Sequence, residues 1–188
     1  MNKIETKTNK TKRFVRSCIY QALIDLMKNE RFDSITTTQI IKRAGVSKMG
    51  FYRNFKSKEN IVEEFIYEKF IETVNKIVST REFNFEVYDI MITTLETFKK
   101  YAPYVNLFLD QGLEHLMYDC YKKGFFALYN RTNTSRIRDY YNQIFIGQLF
   151  NLEMAWLRNG MIETPHQLAK IYYEILKLQY SNKNKDLL

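Results

Sequence analysis

The side chains best placed to do chemistry cluster in the run "TTTQIIKRAGVSKMGFYRNF", from Thr36 to Phe55. Phe51 and Phe55, four apart, form one helical stripe, which leaves Ser47, Lys48, Met49, Gly50, Tyr52, Arg53 and Asn54 on the outward side. Hydroxyl, ammonium, guanidinium and amide groups in such a row hydrogen-bond phosphates and base edges, and a methionine can contact a thymine methyl. The chemistry is recognition without bond-making. Competing readings stand beside it: Tyr52 as core, Lys48 and Arg53 as solvated charges, Met49 as surface filler.

Catalytic chemistry has no comparable cluster. His115 and His166 are the only histidines, and neither has a metal-ligand spacing such as HExxH. P-loop, Rossmann and nucleophile-elbow patterns are absent from the sequence. We expect no enzyme, no metal site and no cofactor.

A two-turn helix is marginal in water alone, so neighbouring elements must hold this row in place. Thr36 supplies an N-cap, and Gln39 three residues on completes a capping box ahead of Ile40, Ile41 and Ala44. Gly45 stops that short helix by allowing a left-handed turn, and Ser47 caps the next one. Two short helices joined by such a turn form a helix-turn-helix. A helix over about 11–29 precedes it, with Phe14, Cys18, Ile19, Ala22, Leu23, Leu26 and Met27 at helical spacing. Ser57 caps another, over about 58–80. Further helices are expected over 84–101, 103–110, 113–129, 135–159 and 165–181, with Pro103 and Gly112 as punctuation and Thr164, Pro165 and Gln167 opening the last.

Charge divides the chain. Of its 188 residues, the first 60 hold 14 Lys and Arg against 5 Asp and Glu, whereas the remainder hold 15 against 16. The net +8 therefore belongs to the N-terminal third, which points to a nucleic-acid or anionic-membrane partner for that module. Cys18 and Cys120 are too few and too far apart for a disulfide framework, and both read as reduced thiols. No signal peptide is expected, and the longest uncharged run, Tyr140 to Leu152, is 13 residues, short of the roughly 18 that span a bilayer. A cytoplasmic protein is expected.

The segment "TTTQIIKRAGVSKMGFYRNFKSKENIV" resembles the DNA-binding motif of the TetR family of bacterial transcription regulators, over residues 11–65. Its Ala-Gly-Val-Ser, Phe-Tyr, Phe and Lys-Glu spacing carries the likeness. The resemblance implies an all-α fold: an N-terminal three-helix helix-turn-helix DNA-binding domain, followed by a larger helical ligand-binding and dimerisation domain. It implies Thr37 and Thr38 at the phosphate backbone or an adjacent base, and Lys48, Met49 and Gly50 facing the major groove with Ser47 at the helix start. Arg53 would read guanine, while Tyr52, Asn54 and Lys58 would hold phosphates. The sequence departs from the family pattern at Met49, Gly50 and Asn54, which bears on the operator rather than on DNA binding.

On this reading residues 1–9 are a mobile arm, 10–57 the DNA-binding domain with its motif at 36–55, 58–181 the regulatory and dimerisation domain, and 182–188 a frayed tail. The family's small-molecule pocket would be lined by Phe98, Tyr101, Phe108, Tyr121, Phe125, Tyr141 and Phe145, with Tyr104 and Trp156, and would suit a small apolar or aromatic effector. Plain core is the alternative for every one of these aromatics. The last two helices carry apolar residues on more than one face. Ile146, Phe150, Met154, Leu157, Tyr173 and Leu176 are the expected homodimer interface, with a buried helix pair inside a monomer as the alternative.

The reading that follows is a homodimeric repressor on a pseudo-palindromic double-stranded operator, released by an effector. A TetR-like body acting through a protein partner, as co-activator or DNA-organising factor, is the second reading. A peripheral membrane binder is the third, and Asp25 with Glu30 argues against the one-sided basic face it needs.

Overall fold

A computed structural model describes residues 7–79, 87–129 and 136–181. Among them the regular elements are helical: α1 Lys7–Met27, a 3-10 turn Phe32–Ser34, α2 Thr37–Ala44, α3 Lys48–Tyr52, α4 Lys58–Ser79, α5 Val87–Asp110, α6 Glu114–Tyr129, α7 Arg136–Arg158 and α8 Pro165–Ser181. No helix among the described residues is long and apolar enough to cross a membrane. Helix α1 begins at Lys7, earlier than the expected Thr11, so residues 7–9 of the expected arm are helical. Residues 1–6 and the tail at 182–188 lie outside the described residues.

The chain forms two compact units, residues 1–68 with 106–121, and residues 69–105 with 122–188. In the first, α1 buries Ile19, Ala22, Leu23, Ile24 and Met27 along one face, and Phe32, Ile35, Ile40, Phe51, Phe55, Ile61 and Val62 complete the core. Phe65 meets Phe108 edge-on at 5.9 Å, and Leu113, Met117 and Cys120 are buried. Residues 106–121, which the sequence reading gave to the regulatory domain, thus pack with the helix-turn-helix. Gln111 shows how. Its Oε1 accepts from Phe32 N–H at 2.7 Å and its Nε2 donates to the Met27 and Glu30 carbonyls at 2.8 and 3.3 Å. One amide therefore satisfies the end of α1 and the start of the 3-10 turn, groups with no partner inside their own elements.

In the second unit Met91, Leu95, Ile146, Leu149, Phe150, Met154, Trp156, Leu157, Leu168, Ala169, Tyr172 and Leu176 are buried. A Cβ on Gly124 of α6 would stand 2.6 Å from the Phe70 ring of α4, so glycine is what lets this ring lie on the helix backbone. The break expected between 101 and 103 does not occur. Pro103 lies within α5, exposed to solvent, and buried Ala102 and Val105 hold the helix on either side of the hydrogen bond that proline cannot make.

Candidate nucleic-acid interface

The local signals around the outward row are built as the sequence implies. Thr36 Oγ1 accepts from Gln39 N–H at 3.2 Å, and Gln39 Oε1 accepts from Thr36 N–H at 2.7 Å, which closes the capping box. Gly45 ends α2 at φ 64°, a left-handed conformation that costs a β-carbon-bearing residue energy. Ser47 then starts α3 by accepting from Gly50 N–H at 3.0 Å.

Helix α3 has five residues, so its stability comes from anchoring. Phe51 and Phe55 are buried at 0% and 1% exposure, and each contributes about 1.5–3 kcal/mol of burial. Tyr20 of α1 meets Phe55 edge-on at 5.3 Å and Phe65 at the same distance. The opposite side is open: Ser47, Lys48, Met49, Tyr52 and Arg53 are exposed, with Met49 at 63% and Tyr52 at 52%. Tyr52 is therefore no core residue, although its ring leans edge-on against Phe51 at 5.2 Å. Gly50 is half-buried, and a Cβ there would come within 3.1 Å of the Ser47 hydroxyl oxygen, the capping atom itself. On α2, Thr38 is exposed and Thr37 half-buried at the N-terminal turn.

Two expected phosphate ligands are placed otherwise. Lys58 Nζ donates to the carbonyls of Phe32, Asp33 and Ile35 at 2.6, 2.9 and 3.0 Å, and lies 4.7 Å from the Phe32 ring centroid. An ammonium has three protons, so Lys58 has none left for a phosphate; it caps the 3-10 turn. Asn54 turns back on its own helix, with Nδ2 donating to the Gly50 carbonyl at 2.8 Å, and its buried Oδ1 has no hydrogen-bond partner. Its donor closes the end of α3 instead of facing outward.

Arg16 is the residue that sequence reading missed. Its guanidinium binds Glu68 through Nε at 2.9 Å and Nη2 at 2.7 Å, binds Glu64 at 3.0 Å and donates to the Tyr20 hydroxyl at 2.7 Å. It also lies over the Phe55 ring, 4.5 Å from the centroid. Burial, reinforced by the negative charge of Glu68, pushes the Tyr20 hydroxyl well above the usual phenol range. In the sequence Arg16 stands one turn before Tyr20 among Lys10, Lys12 and Arg13, and nothing local distinguishes it from them. Nearby, hydrogen bonds from Lys28 and then Gln21 hold the Asp25 carboxyl below its ordinary range, and Asp25 also receives Arg43 at 3.5 Å.

The expected pocket aromatics are divided between the two units. Phe108 and Tyr121 belong to the first unit, and Phe108 is buried against Phe65. In the second, Phe98 stacks with Trp156 at 6.4 Å, Phe145 tilts against Tyr172 at 6.1 Å, and Tyr141 is half-buried. Tyr101 donates to Glu72 at 2.8 Å and lies 6.3 Å from the Tyr104 ring. The Phe125 side chain lies outside the described residues.

The expected dimer stripe is corrected. Ile146, Phe150, Met154, Leu157 and Leu176 are buried within the protomer, at 8% exposure or less, and Tyr173 is half-buried against Tyr88 at 5.8 Å. Among the described residues, the large apolar side chains exposed on α7 and α8 are instead Tyr140 at 62%, Ile144 at 55%, Ile171 at 50% and Ile175 at 43%.

Residues 19–65 match the model of the bacterial regulatory proteins of the tetR family. The nucleoid occlusion factor SlmA of Aliivibrio fischeri is 30% identical over 134 residues, which cover 69% of this chain and 60% of that protein. SlmA of Vibrio cholerae is 28% identical over the same shares. The chain thus spans 60% of the length of these relatives. Among solved structures, Lin0861 from Listeria innocua superposes with a TM-score of 0.74 at 16% identity, covering 95% of this chain and 96% of that one. The dihydroxyacetone kinase operon activator DhaS gives 0.56 at 14% identity, covering 89% and 96%. At these identities the superpositions bear on the fold alone, and they extend the likeness beyond the matched segment to the helices that follow it. Residues 19–65 thus carry the DNA-binding segment of the tetR family of bacterial regulatory proteins, and the helices around it have the fold of the superposed structures.

Proposed function

We propose that the protein is a homodimeric, sequence-specific DNA-binding regulator of transcription, which represses from a pseudo-palindromic operator and is released by a small apolar or aromatic effector. The observation that carries the DNA reading is the exposed row Ser47, Lys48, Met49, Tyr52 and Arg53 on a helix whose other side is anchored by buried Phe51 and Phe55. Lys48, Met49 and the bare backbone at Gly50 meet base edges, Arg53 takes guanine bidentately, and Tyr52, Thr37 and Thr38 hold phosphates. Asn54 and Lys58 shape the domain and leave the DNA to their neighbours.

Dimerisation uses the exposed face, with Tyr140 and Ile144 of α7 against Ile171 and Ile175 of α8 from a second copy. A two-fold dimer presents two recognition helices about 34 Å apart, one turn of DNA. The effector site is proposed in the second unit, among Phe98, Tyr101, Tyr141 and Phe145. Helix α4 contributes residues to both units, which gives an effector a covalent path to the DNA-binding one. Release requires that the effector bind the DNA-incompetent arrangement more tightly than the competent one.

Selection from a random duplex pool tests this: an inverted repeat with half-sites about one helical turn apart supports it, and no enrichment contradicts it. Ile144→Glu with Ile175→Glu should give a monomer by light scattering; an unchanged dimer would place the interface elsewhere. The second reading, output through a protein partner, is favoured by the relatives, which are named nucleoid occlusion factors. An enriched duplex that binds without altering transcription from an adjacent promoter in a purified system would support that reading over repression.

A further inference from the structure

Arg16 stands apart from the DNA-facing row, yet its guanidinium makes contacts on every side within the first unit that carries that row. Its side chain is 13% exposed and paired with Glu64 and Glu68 of α4 at 3.0 and 2.7 Å. The same guanidinium covers Phe55, the aromatic anchor that follows α3, and its Nη1 makes a long 3.4 Å contact to the Asn54 carbonyl. Asn54 in turn donates to the Gly50 carbonyl at 2.8 Å. A continuous set of contacts therefore runs from two α4 carboxylates through one α1 side chain to the middle of the recognition helix. A planar fork suits this task, because guanidinium can bond two carboxylates in its plane while stacking an aromatic ring on its face, and ammonium cannot.

We infer that Arg16 is a positioning residue for sequence readout: with Glu64 and Glu68 it fixes the attitude of α3, and it acts on DNA only through that helix. This rests on the DNA-binding reading. It also makes an unusual demand, that two acidic residues in a DNA-binding unit favour specific binding. Simple electrostatics says the reverse, since removing negative charge strengthens attraction to phosphates.

The test uses the full chain, the duplex enriched from the random pool and a scrambled duplex of equal length, in anisotropy titrations over a range of salt. For the double variant Glu64→Gln/Glu68→Gln, affinity for the enriched duplex should fall about tenfold, while the scrambled duplex binds as well or better and the salt slope is unchanged. Arg16→Lys, which keeps the charge and loses the fork, should lose a similar preference, and adding it to the double variant should cost little more. Tighter binding of both duplexes by the double variant, or a wild-type preference in both variants, overturns the inference and leaves the DNA reading intact. A wild-type chain that prefers neither duplex overturns the DNA reading and this inference with it. Should Arg16→Lys fail to fold by circular dichroism, the sign of the change in the double variant decides.

Discussion

Replacing Lys58 by methionine separates two roles that the same residue could have. Methionine keeps much of the stem but removes three donors, so the carbonyls of Phe32, Asp33 and Ile35 lose bonds of 2.6, 2.9 and 3.0 Å. Hydrogen bonds to a charged group contribute about 1.5–3 kcal/mol each at most, and the three share one side chain at a half-buried site. The cation over the Phe32 ring adds about 0.5–1 kcal/mol. A net loss of roughly 2–4 kcal/mol follows, since Asp33 is exposed and water can reach its carbonyl. In a chain of this size that lowers the melting temperature by roughly 5–15 °C. The assay is thermal unfolding by circular dichroism alongside DNA binding against salt. If Lys58 caps the turn, the melting point drops and the salt slope of folded protein stays as in the wild type. An unchanged melting point with a slope shallower by about 0.9 per protomer would make Lys58 a phosphate ligand and refute the capping argument.

Gly124→Ala puts a methyl 2.6 Å from the Phe70 ring, and it should destabilise the second unit by about 1–3 kcal/mol in urea unfolding; wild-type stability would mean the α4–α6 approach relaxes freely. Gly50→Leu should weaken binding to the enriched duplex while leaving dimerisation intact, because it adds bulk at the helix face and crowds the Ser47 cap at 3.1 Å; equal affinity would show that no close backbone approach is needed there. The Tyr20 hydroxyl is raised by burial and by Glu68, so its stabilisation is full below the unfolded phenol value of about 10 and is lost as pH rises beyond it. Melting points should fall above pH 10, and Tyr20→Phe should flatten that fall; an identical fall in the variant would assign it to other groups.

What the sequence made legible was local. The capping box at Thr36 and Gln39, the turn at Gly45 and the cap at Ser47 are set by residues three to five apart, and each is found where the spacing puts it. The carbonyls that Lys58 caps lie 23–26 residues away, and the glutamates and the Asn54 carbonyl that Arg16 reaches lie 38–52 residues away, beyond any periodicity. The two apolar stripes of α7 look alike in composition, and a 3.6-residue period says that a face is apolar without saying what covers it. Ile146 and Phe150 fill the protomer's own core, which leaves Tyr140 and Ile144 outside. Pro103 read as a stop because the lost hydrogen bond is a local cost, whereas the burial of Ala102 and Val105 that offsets it is tertiary. The division of the pocket aromatics between two packing units is a tertiary property, and no period along α5 or α6 reveals it.

The central claim is that the exposed row on α3 places this basic unit on double-stranded DNA, and the salt dependence of binding to the enriched duplex tests it most directly. A dimer whose basic units neutralise about three phosphates per head should give a log–log slope of roughly −5. A slope near zero would contradict the account.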